Sequence, residues 1–293
     1  MAKSRLAVDC EYVALRLFCG IVNSIPYRGA CALAGLLARV AFAAGFKRRR
    51  TLGRIRSAFP GVTDAEARRI AVSSLANVLK TAVEMSRASK LTREWMDAHV
   101  TDGSRYGQML RSIVARGRGA VIMVPHTGNW YMAAWAMAKY GIPLFAIAAR
   151  QRNPKIDAWM CRQYGDIEVL DRDRRDTLGR IRDYLGKGRA FAILPDLRVR
   201  KRDVEVDFLG GRANVSRAGA MFAVRAGVPI VVAAMTRENG RHVINYLATL
   251  ETAGRSAEEL TRQAMKLLSD FVTAHPGDWY WYNKRWILEP PEE

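Results

Sequence analysis

One histidine in this chain stands where a side chain can do acid–base chemistry. His126 lies in Pro125-His126-Thr127-Gly128-Asn129-Trp130, after an apolar run of buried-strand type at 119–125 and before a helix-like segment, NWYMAAWAMAKYG, at 129–141. In open α/β sheets, ligands bind at the edge where strands end and helices begin. The positive end of the following helix disfavours imidazolium, which keeps the ring neutral and able to accept a proton. The first N–H groups of that helix, near Gly128 and Asn129, are expected to hold a developing oxyanion. His99, His242 and His275 lack such a setting and read as structural or surface residues. Position alone does not make a histidine catalytic, so the elements around it carry the next step.

From residue 119 onward, strand-like runs alternate with helix-like ones. GAVIMVP, PLFAIAA, IEVL, AFAILP and PIVVAAM are short and apolar, and helix-like stretches at 175–187, 216–226 and 256–274 separate or follow them. This pattern predicts an α/β fold, a central mixed sheet flanked by helices. The stretch from about 61 to 118 reads as helical, opened by a capping box in which Thr63 is followed three residues on by Glu66. No repeat and no Pro/Gly/Ser linker is visible. The expected organisation is therefore a helical membrane-association region with a basic turn at 1–60 and an α/β domain at 61–293.

Charge is the anomaly in the composition. The 293 residues hold 47 Lys+Arg against 28 Asp+Glu, a formal net charge of +19. Such a surplus favours an anionic partner: nucleic acid, an acidic membrane face or an acidic protein. Segments 6–17 and 31–46 are rich in Ala, Leu, Val and Phe, and the second runs directly into Lys47, Arg48, Arg49 and Arg50, with Arg54 and Arg56 close behind. An apolar helix ending in cations suits an anionic leaflet, although a core helix pair with a solvated basic turn has the same composition. Nucleic acid is not expected, because no zinc-finger or RNP motif is present and the basic residues are scattered through helices. Cys10, Cys19, Cys31 and Cys161 form no C-x-x-C pair, which indicates neither a zinc site nor a disulfide framework, and no cleaved signal peptide is read.

The segment VPHTGNWYMAAWAMAKYGIPL resembles the active-site block of the late lipid A acyltransferases, the lauroyl/myristoyl branch of the lysophospholipid acyltransferase-like superfamily. The resemblance extends to RIRSAFPGVTDAEARRIA, the segment from Arg150 to Pro154, ILPD ending at Asp196, VDFLGGRANVS, AVRAGVP and the terminal HPGDWYWYNKRW. It implies a glycerolipid acyltransferase-like fold with a membrane-associating N-terminal region on the cytoplasmic face of the inner membrane. The implied reaction moves a fatty acyl chain from acyl-carrier protein, or acyl-CoA, to a hydroxyl of a lipid A-like or other glycolipid. No cofactor beyond that acyl donor, and no metal, is implied.

In the family, a histidine and an acid five positions on form the catalytic pair. His126 matches, but the acid position holds Tyr131. Three readings follow. Tyr131 orients His126 through its phenol; or another carboxylate does so, with Asp196 at the end of a predicted strand on the same sheet edge as the candidate; or the chemistry is lost and lipid binding kept. Arg150 and Arg152 are candidates for binding a phosphate of the donor or acceptor, with a solvated loop as the plain alternative. Arg198 opens a basic loop that would steer the acidic acyl-carrier protein. Trp279, Tyr280, Trp281, Tyr282 and Trp286 suit either an interfacial belt or a packed C-terminal segment.

Overall fold

The computed structural model describes residues 4–102, 106–115 and 117–289. The first three residues of the expected 1–60 region and the last four of the expected 61–293 domain lie outside it. Four helices come first: α1 (Arg5–Ser24), α2 (Tyr27–Ala43), α3 (Arg48–Ala58) and α4 (Asp64–Ser86). The Thr63 hydroxyl accepts from the Glu66 N–H at 3.2 Å while the Glu66 carboxylate accepts from the Thr63 N–H, so the capping box forms as its spacing predicts. Helix α2 packs along α4 through Ala30, Ala34, Ala38 and Phe42, a four-residue spacing of mostly small side chains that allows close approach. Its other side leaves Leu33, Leu36, Leu37 and Val40 exposed, and α1 exposes Leu6, Val13, Leu17 and Ile21. Among the described residues, no single helix is long and apolar enough to cross a membrane.

The hydrophobic core runs across residue 60. Ala38, Phe42, Leu52 and Ile55 belong to the same buried cluster as strand residues Val121, Phe145 and Phe191. The basic turn also feeds inward: Arg54 is buried and donates to the carbonyls of Trp281 at 2.9 Å and Asn283 at 2.7 Å.

After α5 (Arg93–His99), β1 (Val100–Asp102) and α6 (Tyr106–Ala115), the chain alternates. It runs β2 (Ala120–Met123), α7 (Trp130–Lys139), β3 (Leu144–Ala148), α8 (Pro154–Gln163), β4 (Glu168–Asp171), α9 (Thr177–Gly186) and β5 (Ala190–Ile193). The hairpin β6 (Val204–Phe208)–β7 (Gly211–Val215), α10 (Ala218–Ala226), β8 (Ile230–Glu238), β9 (Arg241–Leu250) and α11 (Ala257–Ala274) complete it. Seven strands form one sheet in the order β1-β9-β8-β2-β5-β3-β4, parallel throughout except at the β8–β9 pair. The expected mixed α/β sheet is present.

Strand β1 falls inside a stretch whose composition reads as helical, and β9 has no apolar run to announce it. The β8–β9 turn does carry a legible signal. Asn239-Gly240 takes φ of 49° and 78°, the double positive-φ geometry of a two-residue hairpin that Asn-Gly favours.

One register positions the chemistry. Strands β2 and β5 lie side by side with Met123 opposite Ile193. Each strand ends in an aliphatic residue and a proline, Val124-Pro125 and Leu194-Pro195, so the third residue beyond each end is His126 on one side and Asp196 on the other. Equal offsets from a parallel pair bring the two residues to the same height.

Candidate active site

The Asp196 carboxylate is 1% exposed and accepts three hydrogen bonds. His126 Nδ1 lies 2.7 Å from Oδ1, the His126 backbone N–H donates to Oδ2 at 2.8 Å, and the Trp279 indole N–H donates to Oδ2 at 2.7 Å. Burial pushes the Asp196 carboxyl up, but the facing His126 and the three donors outweigh it and hold the group below the usual carboxylate range. An ionised carboxylate accepts only, so Nδ1 carries the proton and Nε2 is the ring nitrogen left to act as base.

Tyr131 takes no part in this bond. Its ring packs against Trp130, Trp135 and Tyr164 at centroid distances of 5.4, 5.8 and 6.2 Å, and burial pushes its phenol up. The reading in which Tyr131 orients His126 is corrected accordingly: the residue forms part of an aromatic wall, and the carboxylate that meets the ring is Asp196. The reading of lost chemistry rested on a ring with no carboxylate partner, a premise that the geometry removes.

A C-terminal strap fixes the pair. Tyr280 N–H donates to the His126 carbonyl and Gly128 N–H to the Asp278 carbonyl, each at 2.9 Å. Helix α4 holds the strap in turn: the Ser74 hydroxyl bonds the Trp279 carbonyl at 2.5 Å, and Asn77 bonds the Gly277 carbonyl and the Asp278 carboxylate. Trp279, Trp281 and Trp286 are buried and pack on one another, so these aromatics form a packed segment. The role of Trp279 is invisible in its local sequence, because it depends on a partner 83 residues away.

The strap also corrects the oxyanion expectation for the Gly128 N–H. Gly128 N–H is committed to Asp278, and Asn129 Oδ1 caps α7 by accepting from Tyr131 and Met132 N–H at 3.0 and 3.1 Å. Asn129 Nδ2 donates to Glu84 at 2.6 Å. Gly128 has φ +53°, and a Cβ there would meet the Met235 carbonyl oxygen at 2.7 Å, so both residues build the loop. Glu84 is wholly buried and also binds the Tyr27 hydroxyl, His242 and both terminal nitrogens of Arg237. Burial opposes its charge, yet Arg237 and His242 hold it ionised, below its ordinary range. This cluster ties α2, α4, β8 and β9 to the cap of α7, three residues from His126.

His126 stands at a cavity of about 800 Å³ that runs among Ile122, Met137, Leu144, Ala146, Ile181 and Phe222. The volume is that of a small-molecule site and the lining is predominantly apolar. Arg198 and Arg285 border it, with Arg198 also 3.8 Å from Glu289. Arg150 is placed elsewhere. It is paired with Asp157 at 2.8 Å and Asp171 at 3.1 Å, so it clamps the end of β3 to α8 and β4, while Arg152 is exposed on that loop. Neither borders the cavity. Among the described residues no three His, Cys, Asp or Glu side chains converge to hold a metal ion.

A mostly parallel α/β sheet thus presents an imidazole, bonded to a buried carboxylate, to an apolar cavity. The chain belongs to the bacterial lipid A biosynthesis acyltransferase family, whose model matches residues 8–287. It is similar to the phosphatidylinositol mannoside acyltransferase of Mycolicibacterium smegmatis, 24% identical over 228 residues that cover 72% of this chain and 75% of the relative. It is likewise 24% identical to the phosphatidylinositol mannoside acyltransferase of Mycobacterium tuberculosis over 189 residues, 62% of this chain and 59% of the relative. The protein is a lipid acyltransferase.

Proposed function

We propose that this acyltransferase moves a fatty acyl chain from an acyl thioester, of acyl-carrier protein or coenzyme A, to a hydroxyl of a glycolipid, with His126 as general base. The observation that carries the reading is the 2.7 Å bond from His126 Nδ1 to buried Asp196, at the mouth of an apolar cavity of about 800 Å³. Nε2 takes the proton of the acceptor hydroxyl, and that oxygen attacks the thioester carbonyl carbon. The C–O bond forms, the C–S bond breaks, and the imidazolium returns its proton to the leaving thiolate. Asp196 holds the ring tautomer and stabilises the imidazolium between the two transfers.

The acyl chain occupies the apolar cavity, each buried methylene contributing about 0.8 kcal/mol. The family description and the relatives' names both point to glycolipid acceptors, and Arg198 and Arg285 beside the cavity suit a phosphate on donor or acceptor. The exposed apolar faces of α1 and α2 support an enzyme seated on a membrane surface, and a cytoplasmic acyl thioester donor would put that surface on the cytoplasmic face of the inner membrane. The test is to supply the purified protein with labelled acyl-carrier-protein and acyl-CoA thioesters and a glycolipid extract. The expected product is a glycolipid heavier by one ester-linked acyl chain; thioester hydrolysis alone, with either donor, would count against acyl transfer.

A further inference from the structure

The α/β region neutralises many of its charges locally. Arg172 pairs with Asp173, Arg212 with Glu205 and Asp207, Arg255 with Glu259, and Arg262 with Glu258. The N-terminal helices are built differently, since residues 4–60 contain ten basic residues and only two acidic ones. Between α2, the start of α3 and α4 lies an open groove of about 690 Å³, bordered by Arg39, Arg48, Arg68, Arg69 and Lys80 together with Ser73. Arg69 has one carboxylate in reach, Glu66 at 4.0 Å on its own helix. Among the described residues, Arg39, Arg48 and Lys80 have no acidic partner, and Arg68 has only the charge of Asp64, one turn earlier on its own helix and already bonded to Arg56 at 2.7 Å. Arg48 and Lys80 are half-buried, and Arg48 opens α3, the helix end where a cation is least favoured. Five like charges around one concavity repel one another unless an anion sits among them.

The position of the groove identifies the anion. Successive residues of α2 turn by about 100°. Ala34, Ala38 and Phe42 face α4, Leu33, Leu36, Leu37 and Val40 are exposed opposite, and Gly35, Arg39 and Ala43 lie on the flank between. The groove thus opens along the border of an exposed apolar stripe. A helix resting with such a stripe in a bilayer sinks roughly 5–10 Å into the boundary between headgroups and acyl chains, which sets its flank at the depth of the lipid phosphates. We propose that this groove binds the phosphate headgroup of an anionic membrane phospholipid and so fixes the orientation of the enzyme on the bilayer. It shares no lining residue with the cavity at His126 and is a second lipid site. A lipid fits better than an acidic protein, because the cations line a concavity beside an apolar strip, which matches a phosphate carried on acyl chains.

The experiment measures binding of the full-length protein to phosphatidylcholine vesicles containing phosphatidylglycerol at physiological salt. Arg39→Gln, Arg68→Gln and Lys80→Gln combined should weaken binding about a hundredfold, at roughly fivefold per cation. A control with the same charge change outside the groove, Arg175→Gln, Lys187→Gln and Arg225→Gln combined, should stay within about threefold of wild type, because charges more than a screening length of ~10 Å from the surface contribute little. Matching circular dichroism melts establish that both variants are folded. Unchanged vesicle binding in the groove variant, or an equal loss in the control, overturns the proposal. So does a raised KM for acyl-carrier protein, or saturable binding of inorganic phosphate, when either accompanies unchanged vesicle affinity. The readout is vesicle binding, so its failure leaves the acyl-transfer reading untouched.

Discussion

Replacing Asp196 by asparagine tests the orienting pair with almost no change in shape. The amide oxygen can still accept the two donors now on Oδ2, the His126 N–H at 2.8 Å and the Trp279 indole at 2.7 Å. The amide NH₂ then faces His126 Nδ1 across a contact that measures 2.7 Å in the wild type, and it can only donate. Nδ1 must therefore become the acceptor, the proton moves to Nε2, and the nitrogen that should take the hydroxyl proton is already occupied. Loss of the correct tautomer in an oriented-histidine mechanism costs about 10⁴ in kcat, or about 5 kcal/mol of transition-state stabilisation. Stability should fall by no more than about 2 kcal/mol, because all three contacts survive as neutral hydrogen bonds. The carboxyl titrates below its ordinary value in the folded protein, so it is ionised at any pH above about 4 and the deficit should be flat across that range. The assay is single-turnover acyl transfer from a labelled thioester, with a urea melt on the same preparation. A folded Asp196→Asn enzyme whose kcat lies within tenfold of wild type would refute the role given to this carboxylate.

Glu84→Gln should destabilise the fold by about 3–5 kcal/mol in urea melts, because it strands the Arg237 guanidinium in the interior. Glu84 is held below its ordinary value, so its contribution is complete above about pH 4.5 and is lost as pH falls through the lower folded value; the stability gap to the glutamine variant should close in acid. Tyr131→Phe should leave kcat close to wild type, because the phenol bonds neither His126 nor Asp196, whereas Tyr131→Glu should lower both melting temperature and activity, because it buries a charge among Trp130, Trp135 and Tyr164. Ala146→Leu narrows the cavity and should raise KM for the longest acyl donors about fourfold per excluded methylene, with shorter donors unaffected in a chain-length series.

Much of the framework was legible because it is written locally. The capping box of α4, the apolar strand runs and the helix after Asn129 follow from spacing alone, and so does His126 at a strand end. Asp196 was legible as a candidate, and the parallel strings Met-Val-Pro-His and Ile-Leu-Pro-Asp give it a sharper signal: two strands of like length with the same exit, each followed by a polar group. Their meeting depends on β5 lying beside β2, a property of strand order that no local pattern encodes. The strap accounts for the rest. Gly128 was read as an oxyanion donor because its N–H opens a helix, and only the long-range approach of Asp278 shows that group to be occupied. Arg150 is a phosphate candidate in the sequence only because it falls, with Arg152, in the basic segment of the family resemblance before Asn153-Pro154, where a solvated loop reads equally well; its two carboxylate partners come from α8 and from β4. The Glu84–Arg237 pair joins residues 153 positions apart and left no trace in the sequence.

The central claim is that His126 removes the proton from the acceptor hydroxyl, and His126→Ala measured in single-turnover acyl transfer tests it most directly. The variant should bind the acyl thioester as wild type does, since the apolar cavity is intact, while transfer to the glycolipid slows by about 10²–10⁴. A folded His126→Ala protein that binds the thioester and acylates the glycolipid within tenfold of the wild-type rate would contradict the account.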